Sequence, residues 1–271
     1  MELRRLREAA GMTGEQVISL VGWAAKSKLS RLENGRSRPD LADVLDLLDL
    51  YDVSGRKRDQ LVAIARDAGN TRAWQRAYPV MTPRQRGYAE LEAGSDQIME
   101  YGACIVPGLL QTEEYARLRI MSAPRRSADS EAETEVAARM ARQAVLTRKV
   151  DPPRYEVVID EYALSGRSGP DHVRAAQITR LRSASLLPNV TVRVLRRQAV
   201  VGPHYLPYTG FSIYHFADPD DPETVTIETL ARELVLSDQE SVLRYIQVFD
   251  WLRQSAMDPD ETKVWLNEHT F

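Results

Sequence analysis

Residues 13–36 read TGEQVISLVGWAAKSKLSRLENGR, and this stretch decides the fold of the N-terminal part of the chain. Thr13 is a favourable helix N-cap, and Gln16 stands where its side chain can complete a capping box. Gly22 can adopt the left-handed conformation that ends a helix, and the pair Asn34-Gly35 can end the next helix in the same way. The stretch therefore predicts two short helices joined by a tight turn.

Apolar residues at helical spacing extend this pattern in both directions. Leu3 and Leu6 predict a first helix that Gly11 ends, and residues 41–51, LADVLDLLDLY, predict a strongly amphipathic fourth helix. The outer face of the fourth helix is expected to carry three aspartates: Asp43, Asp46 and Asp49. We therefore predict a compact all-α domain over residues 1–68.

Positive charge is concentrated around the second helix of the pair. Five cations lie within thirteen residues and are opposed only by Glu33: Lys26, Lys28, Arg31, Arg36 and Arg38. A helix with such side chains can enter the major groove of DNA while flanking cations pair with phosphates. The alternative is a solvated basic surface. Two helices joined by a glycine turn, with the basic helix second, favour DNA binding.

The segments 12–17, 22 and 27–36 resemble the Cro/C1-type (XRE) helix-turn-helix, over about the first 65 residues. This resemblance implies binding to a specific double-stranded DNA operator. By position, Lys26, Ser27, Lys28 and Arg31 would face bases or nearby phosphates, and Asn34 and Arg36 would hold the DNA backbone. The predicted DNA-binding residues are Thr13, Gln16, Lys26, Ser27, Lys28, Arg31, Asn34, Arg36 and Arg38. Because such a unit covers about one half-site, we expect a homodimer.

Length and composition limit the class of protein. The 271 residues suit about two domains, and 43% hydrophobic with 28% charged residues is typical of a globular protein in water. The single cysteine, Cys104, has no internal disulfide partner, which favours a reducing compartment. The sequence shows no pattern of a leader peptide, and no apolar run approaches the ~20 residues that a membrane span needs. We therefore expect a cytoplasmic protein without a membrane partner.

The remaining two-thirds predicts an α+β domain over residues 87–271, after a polar linker at 69–86 that contains two prolines, Trp74 and Tyr78. Helical spacing predicts helices at 88–99, 112–121, 131–149 and 171–186, and from Asp238 onward. Residues 155–159, 190–195, 210–216 and 224–228 are rich in β-branched and aromatic residues and predict strands. An acidic, proline-containing turn at 218–222 makes the last two a hairpin. We expect a small, mostly antiparallel sheet flanked by helices.

This second part also resembles a family, the domain that follows XRE-type units in many actinomycete regulators of the WhiJ-like, Scr1-type antitoxin-like group. The resemblance is carried by residues 101–116, YGACIVPGLLQTEEYA, and by the segments 139–148, 158–161, 187–192 and 218–229. It implies regulators of development and secondary metabolism that are often encoded beside a small partner protein. Some members have been likened to antitoxins.

The sequence offers few groups for catalysis. Phosphate-binding glycine loops are absent, and the four histidines lack metal-ligand spacing, so we expect no metal, no cofactor and no enzymatic activity. Glu161 and Glu228 each end a predicted strand and are expected to lie near one another, where they could accept hydrogen bonds from a ligand or basic partner. A solvated strand end is the alternative.

Recognition by a loop is the second possibility in this region. Residues 202–208, GPHYLPY, form a loop that contains His204, Tyr205 and Tyr208 and is held stiff by two prolines. Exposed aromatic side chains on a stiff loop suit binding because little entropy is lost when they are fixed. A packed loop is the alternative reading of the same residues.

The leading hypothesis is a DNA-binding transcription regulator whose second domain binds a small protein partner or a small-molecule effector. Binding would stabilise one of two arrangements of the protein. Two alternatives stay open: an antitoxin-like protein that chiefly neutralises a neighbour-encoded partner, and an enzyme that uses its first domain only for localisation.

Overall fold

The computed structural model describes residues 2–24, 26–33, 40–68, 83–123, 129–149, 151–217, 221–229 and 233–269. The chain divides near residue 80 into two compact units, and each is a body with its own core. Three predicted features fall largely outside the described residues: the helix stop at 34–35, the linker at 69–82 and the acidic turn at 218–220. The last residues of the predicted linker, from Pro83, already belong to a helix.

The first unit consists of helices in its described residues. They are α1 (Glu2–Ala9), α2 (Gly14–Val21), α3 (Lys26–Glu33), α4 (Leu41–Leu50) and α5 (Gly55–Ala68). The capping box at Thr13 is confirmed, since the Thr13 hydroxyl accepts from the Gln16 backbone and the Gln16 side chain accepts from the Thr13 backbone. Gly22 ends α2 in the left-handed conformation at φ 70°. The predicted pair of helices with a glycine turn is therefore present.

Helical periodicity places the core of this unit as the sequence predicts. Val17 of α2 packs with Leu29 and Leu32 of α3 and with Leu47 and Tyr51 at the end of α4. A second cluster on α4 and α5 consists of Val44, Leu48 and Ala65. Since both clusters draw on α4, this helix joins α2 and α3 on one side to α5 on the other.

A buried ion pair fixes the end of α3 against α1. Arg7 Nε donates to Glu33 Oε1 at 2.7 Å and Arg7 Nη2 donates to Glu33 Oε2 at 3.1 Å. The two side chains are 13% and 3% exposed. Arg7 Nη1 also donates to the carbonyl oxygen of Met12 at 2.9 Å, which ties the loop before α2 into the same contact. The hydrogen bonds that Arg7 donates to Glu33 raise the pKa of Arg7, although burial opposes the shift.

Replacing Glu33→Gln is expected to destabilise the chain by about 3–5 kcal/mol, because it keeps the volume but leaves the Arg7 charge buried without its carboxylate. Urea unfolding followed by circular dichroism at the helical band measures the loss. Glu8→Gln is the matched control, since Glu8 is 61% exposed and its oxygen lies 3.9 Å from Arg7. Equal effects of the two substitutions would contradict the role given to the buried pair.

The second unit is built on a six-stranded mixed sheet with the order β3-β2-β1-β4-β5-β6. The strands are β1 (Gln97–Gly102), β2 (Arg154–Asp160), β3 (Val190–Leu195), β4 (Phe211–His215), β5 (Thr224–Glu228) and β6 (Glu233–Leu236). β1, β2 and β3 are parallel, whereas the pairs β1–β4, β4–β5 and β5–β6 are antiparallel. The predicted α+β class and the β4–β5 hairpin are confirmed.

Six helices complete the described part of this unit. They are α6 (Pro83–Gly94), α7 (Glu113–Met121), α8 (Asp129–Arg142), α9 (Asp171–Ala184), α10 (Gln239–Ser255) and α11 (Pro259–Glu268). Thr112 caps α7 and Asp238 caps α10, and both helices begin where the sequence predicts a helix to begin. The C-terminal helical region is interrupted, because Asp258 caps a new helix and Pro259 begins it.

Three predicted elements differ from the structure. The predicted helix at 88–99 ends at Gly94, and its last residues begin β1. β1 is central and buried on both faces, so it lacks the alternation that identifies a half-buried strand. The predicted helix at 131–149 becomes a 3₁₀ helix after Arg142, at Gln143–Thr147. β6 is a four-residue edge strand that gave no recognisable pattern.

Candidate functional site

The start of α2 presents the predicted DNA-facing cap to solvent. Thr13 and Gln16 are both exposed. Gln16 N donates to Thr13 Oγ1 at 3.3 Å, and Thr13 N donates to Gln16 Oε1 at 2.8 Å. The side-chain nitrogen of Gln16, Nε2, takes no part in this cap. It therefore remains a candidate donor to a DNA phosphate at the N-terminus of α2.

Helix α3 is more buried than its charge suggests. Ser27 is 0% exposed and Arg31 is 6% exposed, and both lie on one side of the helix because they are four residues apart. Lys28 and Ser30 are partly exposed, and no described side chain of α3 is fully exposed. Neither side chain is open to solvent in this conformation, and the expectation that Ser27 and Arg31 face bases or nearby phosphates stays a prediction. The sequence shows which residues of α3 are charged, but which of them are buried depends on how the neighbouring elements pack around the helix.

Lys28 is held by contacts within the first unit. Its Nζ donates to Asp43 Oδ1 at 2.9 Å, and both side chains are 13% exposed. The ammonium also lies 4.3 Å from the centre of the Trp23 ring, a cation–π contact. Asp43 is therefore not on an outer face, whereas Asp46 and Asp49 are exposed as predicted. The Lys26 side chain and the residues Asn34, Arg36 and Arg38 lie outside the described residues and stay predictions.

The sheet order separates the two predicted carboxylates. β2, which ends before Glu161, and β5, which ends at Glu228, lie three strand positions apart, roughly 14 Å at the usual strand spacing. The expectation that they lie near one another is therefore wrong, because β1 and β4 are inserted between their strands. Glu228 is exposed and stands opposite Glu233 of β6.

Glu161 has a structural role instead. It accepts a hydrogen bond from Arg196 Nε at 2.9 Å and another from the backbone N–H of Arg197 at 3.1 Å. Burial opposes ionisation of Glu161, but these two hydrogen bonds outweigh it and hold the pKa below its usual range. The carboxylate thus fixes the chain where it leaves β3 and begins the loop toward residues 200–208.

Residues 200–208, here called the Tyr208 loop, are anchored at their base and exposed at their tip. The ring of Tyr205 lies 5.8 Å from Trp251 of α10 and 6.4 Å from Tyr208, measured between ring centres. Leu206 is 80% exposed and Tyr208 is 91% exposed. His204 is exposed as well, with a positive φ of 62°. The loop therefore presents Leu206 and Tyr208 to solvent, whereas Tyr205 packs at its base.

Gly202 is the point where this loop depends most on glycine. Its φ is +47°, and a Cβ at this position would lie 2.7 Å from Cδ2 of Trp251. Gly202→Ala is therefore expected to cost about 1–3 kcal/mol, since the substitution strains the backbone and displaces the ring. Thermal unfolding of the full chain measures the loss, and Trp fluorescence reports the environment of Trp251. Gly166→Ala is the control, because nothing lies within 4 Å of its Cβ position.

Equal melting temperatures for Gly202→Ala, Gly166→Ala and the parent protein would show that the loop is not fixed on Trp251.

The segment that carries the second resemblance is held by three glutamines. Gln111 Nε2 donates to the Val106 carbonyl at 2.7 Å, and Gln177 Nε2 donates to the Leu110 carbonyl at 2.8 Å. Gln143 Nε2 donates to the carbonyls of Gly108 and Gln111 at 3.0 and 2.8 Å. The motif VPGLLQT is therefore a structural turn whose backbone carbonyls accept hydrogen bonds from side chains of the 3₁₀ helix after α8, of α9 and of the turn itself.

No helix among the described residues is long and apolar enough to cross a membrane. In the same part of the chain, no group of three or more His, Cys, Asp or Glu side chains is arranged to hold a metal ion. Cys104, the single cysteine, is exposed.

Comparison with known proteins agrees with the division into two units. Residues 1–61 match the model of a helix-turn-helix domain, and residues 85–268 match the model of a domain of unknown function, DUF5753. No curated protein is significantly similar to the chain. The first match supports a DNA-binding regulator. Since the second match covers more than half of the 271 residues, the chain belongs to the DUF5753 family and carries a helix-turn-helix domain at its N-terminus.

Proposed function

We propose that the chain is a sequence-specific transcription regulator of the XRE type, which binds a double-stranded DNA operator as a homodimer. The observation that carries this proposal is the helix-turn-helix match over residues 1–61, together with the Thr13-capped α2, the turn at Gly22 and α3. This arrangement places a basic helix second in the pair, the position from which it reaches the major groove.

The burial of Ser27 and Arg31 bears on how DNA is bound. For that side of α3 to contact bases, the regulator adopts a second arrangement in which the side is exposed. An effector that binds one arrangement more tightly shifts the equilibrium between the two and so changes operator affinity. Lys28 takes part in the same change of arrangement. On DNA binding, its ammonium leaves the Asp43 carboxylate and pairs with a DNA phosphate.

Removal of the Asp43 carboxylate is therefore expected to favour DNA binding. Asp43→Asn releases Lys28 and raises operator affinity roughly threefold, the effect of one modest ion pair. Lys28→Ala weakens binding and lowers the slope of log K against log salt by about 1. Fluorescence anisotropy on an operator fragment, taken from genome-wide binding sites of the tagged protein, measures both changes.

Asp46→Asn is the matched control for this experiment, because Asp46 is exposed on the same helix and the substitution removes the same charge. If Asp46→Asn raises affinity as much as Asp43→Asn, the gain comes from net charge and not from release of Lys28. If Lys28→Ala leaves both affinity and salt slope unchanged, Lys28 is not a DNA contact.

The second unit binds a small protein partner or a small-molecule effector in this proposal, as in regulators of the WhiJ-like group. The exposed tip of the Tyr208 loop supports a protein partner, since Leu206 and Tyr208 are 80% and 91% exposed on an anchored loop. Co-purification of the tagged chain with a neighbour-encoded protein tests this role. Loss of that protein with Leu206→Ser and Tyr208→Ser would place the contact on the loop.

The same surface also supports the antitoxin-like alternative, in which neutralising the partner is the chief role and DNA binding is secondary. The test is whether a Lys28→Ala chain, whose operator binding is weakened, still relieves growth inhibition caused by the partner as fully as the parent chain does. Full relief favours the antitoxin-like role. The chain has no enzymatic activity in this proposal, and turnover by the purified chain would contradict it.

A further inference from the structure

The two faces of the central sheet differ in their chemistry. One face packs on α10 and is mainly apolar, with Met99, Ile213 and Val225 from the sheet against Phe249 and Leu252 from the helix. Successive residues of a strand point to opposite faces, so their sequence neighbours form the other face. The register places six polar side chains there: Glu100, Tyr155, Ser212, Tyr214, Thr224 and Thr226. The same face also carries the buried apolar side chains of Ile98, Val157 and Ile159, so its polar side chains are concentrated at Glu100 and on β4 and β5.

Glu100, Ser212 and Thr226 form a row across this face. Glu100 of β1 stands opposite Ser212 of β4, which stands opposite Thr226 of β5. Ser212 and Thr226 are 7% and 2% exposed, whereas Glu100 keeps part of its surface accessible to solvent. Glu100 Oε2 accepts from Tyr155 Oη at 2.6 Å. The row is therefore an enclosed polar surface that solvent can reach at Glu100.

The neighbouring charges leave Glu100 without a cation of its own. Arg142 of α8 donates from Nε to Glu92 Oε2 of α6 at 2.9 Å and from Nη1 to Gln85 Oε1 at 2.7 Å. The guanidinium lies 4.8 Å from the centre of the Tyr88 ring. Glu92 thus takes the positive charge on this side of the sheet. No ion pair to Glu100 is present in the described part of the chain.

The surroundings of Glu100 oppose its ionisation. Burial raises the pKa of Glu100 to about 7, the hydrogen bonds from Tyr155 and Ser212 lower it, and the charges of Glu92 and Arg142 act in opposite directions. A bound cation would stabilise the ionised carboxylate that burial now disfavours.

Thr226 supplies an independent observation at the other end of the row. Its Oγ1 is buried and makes no hydrogen bond to any described residue. A buried hydroxyl without a partner costs free energy, and valine fills the same volume without that cost. The Thr226 hydroxyl is therefore available to a ligand group that could bond to it.

We propose that the row Glu100–Ser212–Thr226 binds a small primary amine that carries a second hydrogen-bonding group, such as an amino alcohol. The ammonium donates to the Glu100 carboxylate and the Ser212 hydroxyl, and the second group bonds to Thr226. Glu100 and Thr226 are two strand spacings apart, roughly 9–10 Å between backbones, which a long glutamate side chain and a short ligand span together. This site deepens the proposed effector role of the second unit and rests on that role for its effect on DNA.

Isothermal titration of the full chain with 3-amino-1-propanol tests the site. Millimolar binding is expected at pH 8, weaker by about tenfold at pH 6, because the ionised fraction of a carboxyl with a pKa near 7 falls by that factor while the amine stays charged. Proton release on binding near pH 7 is measured by repeating the titration in buffers of different ionisation enthalpy. Propylamine, which lacks the second group, binds more weakly, and 1,3-propanediol, which lacks the ammonium, gives no signal.

Two variants separate the two halves of the site. Glu100→Gln abolishes binding of both amines, whereas Thr226→Val lowers the affinity of 3-amino-1-propanol to that of propylamine. Circular dichroism melting verifies that each variant is folded, and Thr226→Val is expected to melt no lower than the parent because an unpaired hydroxyl is removed. Absence of amine binding by the parent protein, or binding that survives Glu100→Gln, overturns the proposal.

Operator binding is measured separately, by anisotropy with and without the amine. If the chain binds the amine but not DNA, the amine site is supported and the proposed DNA-binding function is contradicted. If the chain binds DNA but not the amine, the DNA-binding function is supported and the amine site is contradicted.

Discussion

The burial of both faces of β1 is the constraint on which the second unit depends. β1 lies between β2 and β4, so it makes parallel hydrogen bonds on one side and antiparallel hydrogen bonds on the other. Met99 and Tyr101 point into the apolar core under α10, while Glu100 points into the polar face. A single strand thus separates an apolar interior from a polar one. Successive side chains of β1 therefore alternate between two buried surfaces, and not between the core and solvent.

The polar interior needs its partners because charges in a low dielectric are costly when they are left alone. Arg142 and Glu92 satisfy one another, and Tyr155 satisfies part of Glu100. The same principle governs the first unit, where Arg7 and Glu33 join α1 to α3. In both units, long charged side chains fix elements in place, and this use competes with their availability to an outside ligand.

Lys28 illustrates that competition most directly. A lysine on the second helix of the pair is suited to a DNA phosphate, yet in this structure its ammonium lies between Asp43 and the Trp23 ring. The number of charged residues in a helix therefore does not give the number of charges that the helix offers to a ligand. A regulator can use the difference, since the energy of releasing such side chains sets how strongly an effector or partner changes operator affinity.

The sequence by itself determined the local features. The Thr13 cap, the turn at Gly22, the helix starts at Thr112 and Asp238 and four of the six strands follow from short-range preferences of neighbouring residues. Only the tertiary structure decided which side of α3 is buried, that β1 and β4 separate Glu161 from Glu228, and that Glu100 shares a face with Thr226. The burial of α3 depends on how the helices of the first unit pack around it. The other two facts depend on the order and register of strands distant in the chain, which no local propensity encodes, because strand pairing is settled by the packing of the whole sheet.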